Sequence, residues 1–311
     1  MCQPPDDGHL AEWHQNLSGV VRFQGDLGVI SGGRTAHRRL DRQEIRTYDG
    51  GFLTYGAVTE GLALAFDEGW KGEQPALHQI VFCALPDGHT VVGLEHCQVG
   101  PHRAYLVECK GLHLHLPNDL YNGFRRTLAT AQGEVVLESP APEDGVLPLG
   151  GRWANVEGKV GVVGLYGAEE LAVSRARGRR GGKYDSLYVE EICWPAAVTR
   201  GAHSVDAGAT VLDVGWAVLS SADAGETARC AGDAEALALE GELLRGVRVV
   251  GQDGKHYAVL ANFAQEPRVA PVRQALGDAA PGRDLASGVE YTSEAGDIPL
   301  GAGAARVLVL G

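Results

Sequence analysis

Residues 78–99, HQIVFCALPDGHTVVGLEHCQV, contain two apolar runs of β type on either side of Pro86-Asp87-Gly88. Proline at the first central position of a turn, followed by Asp and Gly, is typical of a tight reversal between two strands. The stretch therefore predicts a β-hairpin.

Runs rich in Val, Tyr and Phe, broken by Gly or Asp, recur through the chain. A second hairpin is predicted in 153–166 with a turn at Glu157-Gly158, and a third in 246–263 with a turn at Asp253-Gly254. The pattern predicts an all-β protein: a large antiparallel β-sandwich followed by a small C-terminal β-sandwich. Trp153 and Trp216 stand inside strands, where we expect them in the core.

The predicted domain boundary lies in the Gly- and Ala-rich stretch 222–233. Helical composition is limited to AEALALEGELL at 234–244. We predict four segments in this order: a poorly ordered N-terminus (1–15), a large β-sandwich domain (16–230), a helical linker (231–245) and a small C-terminal β-sandwich (246–311).

The formal net charge of −13 argues against two classes of partner. A surface of this sign repels the phosphates of nucleic acids and anionic lipids, so we expect neither nucleic acid nor a membrane as a partner. No apolar stretch approaches the ~20 residues that span a bilayer, and the N-terminal MCQPPDDGHL lacks an apolar signal region. The sequence as it stands predicts a cytoplasmic protein. A secreted protein is the alternative if the sequence is a piece of a longer chain.

The six cysteines include no CxxC pair, which argues against a zinc ribbon. Cys83, Cys97 and Cys109 lie in apolar, strand-like runs, where a thiol acts as a small buried hydrophobe. We therefore expect reduced, structural thiols.

The last 65 or so residues show a strand, then Asp253-Gly254-Lys255, a strand ending in Asn262-Phe263, then DLASG and a final RVLVL. This order resembles the C-terminal β-sandwich of many glycoside hydrolases and polysaccharide lyases. The preceding region, with its Trp-bearing strand and turn at 153–158, is similar to the large "super-sandwich" of polysaccharide lyases. In those families the sandwich accompanies a helical toroid or barrel that supplies most catalytic groups.

The resemblance implies a carbohydrate-active protein: a non-catalytic or accessory β-sandwich region that binds a glycan or scaffolds a catalytic module. The implied partners are a polysaccharide or oligosaccharide, with a catalytic module or subunit as an open second partner. Two alternatives stand beside it. One is a self-sufficient polysaccharide lyase or glycosidase acting through the polar residues of 89–126, and the other is a structural or assembly protein without catalysis.

His113 and His115 are two residues apart in KGLHLHLPN, so on a strand they project from one face. Two imidazoles on one face can bind a divalent metal, with Glu95 or His96 as a third ligand from a neighbouring strand. The alternative is the solvated polar face of a sheet. A metal is thus an open alternative, and no other cofactor is expected.

The segment 117–126 has the composition of a loop and groups suited to sugars. Amides and Arg bind hydroxyls and carboxylates, Tyr stacks on pyranose faces, and lyase chemistry needs a proton-moving Tyr or His. The alternative is that Asn118 and Asn122 close turns and Asp119 caps. The candidate residues are Tyr121, Arg125 and His113 for catalysis, and Asn118, Asn122, Arg126 and Trp70 for substrate binding.

Two doublets of acids, Asp67-Glu68 and Glu190-Glu191, are candidates for glycosidase carboxylates. Adjacent residues of a strand point to opposite faces, so neither doublet forms a pair by itself. We expect these acids on exposed faces. No GxSxG, Walker or strand-to-helix GxGxxG motif occurs, which excludes the corresponding hydrolase, NTPase and dinucleotide-binding classes.

Overall fold

The structure is a computed structural model, and it describes residues 19–24, 30–31, 38–60, 76–143, 145–167, 169–175, 188–193, 203–277, 281–292 and 297–311. Trp70 and the predicted poorly ordered N-terminus, residues 1–15, lie outside these ranges. No helix within them has the length and apolar character needed to cross a membrane.

The described chain is nearly all β, which confirms the predicted fold class. The first half of the strands, in chain order, is β1 (Val20–Gln24), β2 (Ile30–Ser31), β3 (Arg38–Tyr48), β4 (Gly51–Glu60), β5 (Ala76–Ala84), β6 (Thr90–Val99), β7 (Ala104–Lys110), β8 (His113–Asn118), β9 (Arg125–Thr130), β10 (Gly133–Glu138), β11 (Gly145–Pro148), β12 (Trp153–Val156) and β13 (Val160–Tyr166).

The remaining elements include the two α-helices. They are β14 (Ala172–Arg175), β15 (Tyr188–Cys193), β16 (His203–Val205), β17 (Thr210–Ser220), α1 (Ala224–Asp233), β18 (Glu235–Ala236), β19 (Leu244–Val250), β20 (His256–Asn262), β21 (Arg268–Ala270), α2 (Val272–Leu276), β22 (Gly282–Asp284), β23 (Glu290–Tyr291), β24 (Ile298–Leu300) and β25 (Ala304–Leu310).

The three predicted hairpins are all present, as β5–β6, β12–β13 and β19–β20. The chemistry of the turn residues explains why these hairpins could be predicted from the sequence. Asp87 accepts hydrogen bonds from the backbone of His89 and Thr90, and Glu157 and Gly158 both take positive φ angles, of 53° and 65°. Two consecutive positive φ angles let the chain reverse direction within the three residues that separate β12 from β13.

A nine-stranded antiparallel sheet, in the order β10-β9-β12-β13-β17-β6-β5-β4-β3, is the centre of the molecule. One face packs against two four-stranded sheets, β16-β7-β1-β2 and β11-β14-β15-β8. That core contains Phe23, Leu114, Ile192 and the fully buried Trp216. We call this nine-stranded sheet the central sheet.

The other face of the central sheet packs against the C-terminal strands. Leu53, Val81 and Leu94 of the central sheet share one buried cluster with Val259 and Phe263 of β20 and the residue that follows it. The C-terminal strands form a six-stranded sheet, β18-β19-β20-β25-β22-β23, and a two-stranded one, β21-β24. The domain division at 231–245 stays a prediction, and the two regions are in extensive apolar contact.

The prediction of a helix at 234–244 is wrong, because the helix of this region lies before these residues. Helix α1 begins at a capping box, in which Asp223 and Glu226 each accept a hydrogen bond from the other's backbone. Residues 235–236 instead form β18 on the edge of β19. Helix propensity is a weak preference, and strand pairing overrides it here.

Candidate functional site

The side chains of His113, His115 and Glu191 meet between strands β8 and β15. The register pairs His115 with Glu191 and His113 with Cys193, and directly paired residues of antiparallel strands share a face. The Nε2 atom of His113 lies 3.0 Å from Glu191 Oε2, and that of His115 lies 3.6 Å from Glu191 Oε1. The alternation of Leu114 with the two histidines places Leu114 in the apolar core and the imidazoles on the opposite face.

A lysine completes this group. The Nζ atom of Lys110 lies 2.7 Å from Glu191 Oε2 and 2.6 Å from Glu108 Oε1. Burial by itself lowers the pKa of Lys110, but the charges of Glu191 and Glu108 outweigh it and hold the pKa above its usual value. We call Lys110, His113, His115 and Glu191 the β8–β15 cluster.

The β8–β15 cluster is buried, with the exposed fraction of His113 at 3% and that of Glu191 at 1%. The prediction of a solvated sheet face for these histidines is therefore wrong. Neither ring nitrogen of His113 makes a hydrogen bond, although Nε2 lies close to the Glu191 carboxylate. The possible ligand atoms of His113, His115 and Glu191 all lie within 4.8 Å of one another, a spacing suited to a metal ion.

Glu95, the third metal ligand expected from the sequence, lies in a different group. It accepts hydrogen bonds from the backbone N–H of Gly19 at 2.6 Å and from Trp216 Nε1 at 2.7 Å, and it lies 3.0 Å from His78 Nε2. The other ring nitrogen of His78 lies 3.1 Å from Glu60 Oε1. Neither Glu95, which is held by these contacts, nor His96 belongs to the group formed by His113 and His115; the carboxylate of that group is that of Glu191.

We call Glu60, His78, Glu95 and Trp216 the central-sheet cluster, since they lie on the adjacent strands β4, β5, β6 and β17. The Trp216 indole reaches Glu95 because Gly93, its register partner, leaves room: a Cβ there would lie 2.1 Å from the indole ring. Burial lowers the pKa of His78, but hydrogen bonds and charges from Glu60 and Glu95 outweigh it and raise the pKa. The imidazolium form can donate to both carboxylates.

The predicted sugar-binding loop is a short, braced turn. Asp119 caps a 3₁₀ turn at Leu120–Asn122 through a capping box with Asn122, and Gly123 ends it in a left-handed conformation. The amide of Asn118 donates to Leu137 O and Ser139 Oγ. The hydrogen bonds of Asp119 and Asn122 fit the alternative that these residues cap and close the turn, whereas Asn118 bonds outside the turn, to residues 137 and 139.

Arg126 also serves the framework of this turn. Its Nε donates to the carbonyl of Pro117 at 2.8 Å, and its guanidinium makes two hydrogen bonds of 3.0 Å to the carboxylate of Glu157. Tyr121 is 98% exposed and Leu120 is 67% exposed. Tyr121 and Arg125, which were predicted as catalytic residues, are both exposed at this turn.

The structure does not bring the three proposed catalytic residues together. His113 begins β8 and Asn118 ends it, so five steps along the strand, about 17 Å at the usual rise, separate His113 from the start of the turn. Tyr121 is exposed to solvent, whereas His113 is buried. A single proton-transfer site that needs both is not formed.

The sequence-based reasoning missed Glu191, Lys110 and His78. Glu190 and Glu191 were expected on an exposed face, yet both are 1% exposed. Glu190 pairs with Arg175 on the face opposite to Glu191; burial raises its pKa and Arg175 offsets part of that rise. The apolar residues around Glu190 and Glu191 are the sequence signal that could have predicted the burial of these acids. Both lie inside the strand YVEEIC, which is buried throughout.

The five described cysteines, Cys83, Cys97, Cys109, Cys193 and Cys230, are buried, and none of them forms a disulfide. Burial raises the pKa of Cys109 and of Cys193 to about 12. Such thiols are protonated at neutral pH and belong to the packed interior.

No protein-family profile matches the sequence, and no curated protein matches it. Similar solved structures include the galactosidase domain of an alpha-galactosidase–sucrose kinase and the alpha-galactosidase from Lactobacillus brevis. Each is 9% identical to this chain, with a TM-score of 0.38, and each match covers 71% of this chain and 32% of the other. The chain thus spans about a third of the length of those proteins. Both are glycoside hydrolases, and a likeness at this level assigns neither a family nor an activity.

Proposed function

We propose that this chain is a non-catalytic, glycan-binding β-sandwich of a carbohydrate-active protein, and that Tyr121 is its main sugar contact. One observation supports the proposal most directly: Tyr121 projects into solvent with 98% of its surface exposed. An aromatic ring held in water can stack on the apolar face of a pyranose, and its hydroxyl can bond to a sugar hydroxyl.

The turn that carries Tyr121 is suited to this role because it is rigid. Asp119 Oδ1 accepts from the backbone N–H groups of Tyr121 and Asn122, and Asn122 Oδ1 accepts from Asp119 N. The backbone N–H of Phe124 also donates to the carbonyl of Asp119. A side chain presented by a fixed backbone loses less conformational entropy when it binds.

Arg125 gives the proposed contact a preference for acidic sugars. It is exposed at the start of β9, four residues after Tyr121. A guanidinium can fork onto a uronate carboxylate. The net charge of −13 opposes this only weakly, because charges beyond about 10 Å are screened at ordinary ionic strength.

The catalytic alternative has less support. A lyase needs its base close to the group that neutralises the carboxylate, and His113 is buried about 17 Å of strand away from the turn. A binding surface needs only the exposed pair, Tyr121 and Arg125.

Binding of a polyuronate and of a neutral glucan, measured by isothermal titration calorimetry, tests the proposal. Tyr121→Ala is expected to weaken binding of both by at least about tenfold, as for a central aromatic contact. Tyr121→Phe keeps the ring and should retain most of the affinity. Arg125→Ala should weaken binding of the polyuronate only.

Tyr105→Ala is the matched control, because Tyr105 is another exposed tyrosine, at 48%, on strand β7 of a different sheet from β8. It should bind as the wild type does. All four variants should keep the wild-type melting temperature, since exposed side chains contribute little to stability. Undiminished binding by Tyr121→Ala, or no binding of either glycan by the wild type, would contradict the proposal.

A further inference from the structure

The three polar groups between β8 and β15 offer a metal ion a ready set of donors. Each imidazole faces a different oxygen of the same carboxylate: His113 Nε2 is nearest to Glu191 Oε2, and His115 Nε2 is nearest to Glu191 Oε1. The two rings pack edge to face with their centroids 4.5 Å apart. The two imidazole nitrogens and the carboxylate offer donor atoms that lie within 4.8 Å of one another.

His113 supplies the second, independent observation. Its side chain is 3% exposed, and both ring nitrogens lack a hydrogen-bond partner. A buried polar group without a partner costs about 1–3 kcal/mol, so folded proteins rarely leave one unsatisfied. A cation at the point where the donors converge would satisfy Nε2.

The chemistry of the donors selects the ion. Imidazole nitrogen with carboxylate oxygen suits Zn²⁺ and its first-row neighbours better than Ca²⁺ or Mg²⁺, which prefer oxygen alone. Lys110 lies at the same carboxylate oxygen as His113, but it also has Glu108 as a partner at 2.6 Å. An incoming cation can therefore displace the ammonium from Glu191 while Lys110 stays paired with Glu108.

We propose that His113, His115 and Glu191 bind a structural Zn²⁺ ion that joins strand β8 to strand β15. The site is independent of the glycan contact at Tyr121. The deep burial of the three ligands favours a structural ion over a catalytic one, because a catalytic site keeps an open position for substrate.

The test refolds the full chain with Zn²⁺ or with a chelator, removes free metal, and measures bound zinc and the melting temperature. The proposal expects about one ion per chain and a higher melting temperature in the zinc-refolded protein. Co²⁺ used in the same way should give the strong visible absorption of a four-coordinate ion. No retained metal, or the weak spectrum of six-coordinate Co²⁺, would overturn the proposal.

Variants locate the ion. His113→Leu and Glu191→Gln should lose the bound zinc and the thermal shift, and His113→Gln repeats the test with a polar replacement. His96→Leu is the matched control: His96 is 1% exposed and both its ring nitrogens lack hydrogen bonds, yet it belongs to no group of three donors among the described residues. Equal zinc binding by His113→Leu and the wild type would overturn the assignment.

Lys110→Met adds a second measurement, because its zinc affinity should differ from that of the wild type only if Glu191 is part of the site. Removing the ammonium frees Oε2 of Glu191 and takes away a nearby positive charge. The variant should bind Zn²⁺ at least about tenfold more tightly than the wild type. Unchanged or weaker affinity would contradict a site that includes Glu191.

Discussion

The central-sheet cluster and the β8–β15 cluster are both built from buried histidine and glutamate, yet they differ in how their ring nitrogens are used. In the central-sheet cluster, each nitrogen of His78 faces a carboxylate at about 3 Å, and Glu95 also accepts from Gly19 and Trp216. In the β8–β15 cluster, neither nitrogen of His113 makes a hydrogen bond. Composition alone does not separate the two.

The difference indicates different roles. A buried polar group that is fully bonded holds strands in one arrangement, and removing any member leaves charges without partners. A buried group with open donor positions is ready for a ligand. We therefore interpret the central-sheet cluster as structural and the β8–β15 cluster as a binding site for an ion.

The largest effect should come from Glu95→Gln. The neutral amide must turn an N–H group toward one of the donors that now face the carboxylate, namely Gly19 N, Trp216 Nε1 or the His78 imidazolium. Losing one member of a buried charged network costs roughly 3–5 kcal/mol. Chemical denaturation of the variant and the wild type measures the loss.

Glu157→Gln is the control for that measurement. Glu157 is paired with Arg126 by two hydrogen bonds but is one-third exposed, so its loss should cost less than about 1 kcal/mol. Similar losses for Glu95→Gln and Glu157→Gln would mean that the central-sheet cluster contributes no more than a surface ion pair.

A smaller effect is expected from pH. The pKa of His78 in the folded protein is raised above its usual 6.5 by Glu60 and Glu95, against the effect of burial. Its contribution to stability is therefore fully present below pH 6.5 and is lost as the pH rises through the folded-state pKa. The stability advantage of the wild type over His78→Leu should shrink as the pH rises above 6.5.

Free energies of unfolding at several pH values across that range provide the measurement, with His203→Leu as the control because His203 is exposed. An advantage that grows with pH would show that the imidazole is neutral in the folded protein.

The sequence predicted what depends on short-range chemistry. The hairpins followed from turn residues such as Pro86-Asp87-Gly88, and the shared face of His113 and His115 followed from the two-residue period of a strand. Helix α1 was missed, although Asp223 and Glu226 have the spacing of a capping box. Asn118 and Asn122 are asparagines, which are common both in turns and in ligand-binding sites. Their residue type therefore could not decide between these two roles.

What the sequence could not predict depends on long-range register. Glu191 reaches His115 because β15 pairs with β8 across more than seventy residues of chain, and nothing local to either strand encodes that register. Glu95 lies closer in sequence, but it is held by Trp216 and His78 on the central sheet. Burial of Glu190 and Glu191 likewise follows from layers that only the folded protein brings together.

The difference between the two clusters is tested most directly by one matched pair of variants, His78→Leu and His113→Leu, unfolded by denaturant in metal-free buffer. Both replace a buried histidine by an apolar residue of similar size. We expect His78→Leu to lose roughly 3–5 kcal/mol, because it leaves Glu60 and Glu95 facing an apolar side chain. We expect His113→Leu to lose less than about 1 kcal/mol or to gain stability, because it removes no hydrogen bond and takes away a buried polar group that lacks one. Equal losses in the two variants would contradict the distinction between a structural cluster and an ion-binding one.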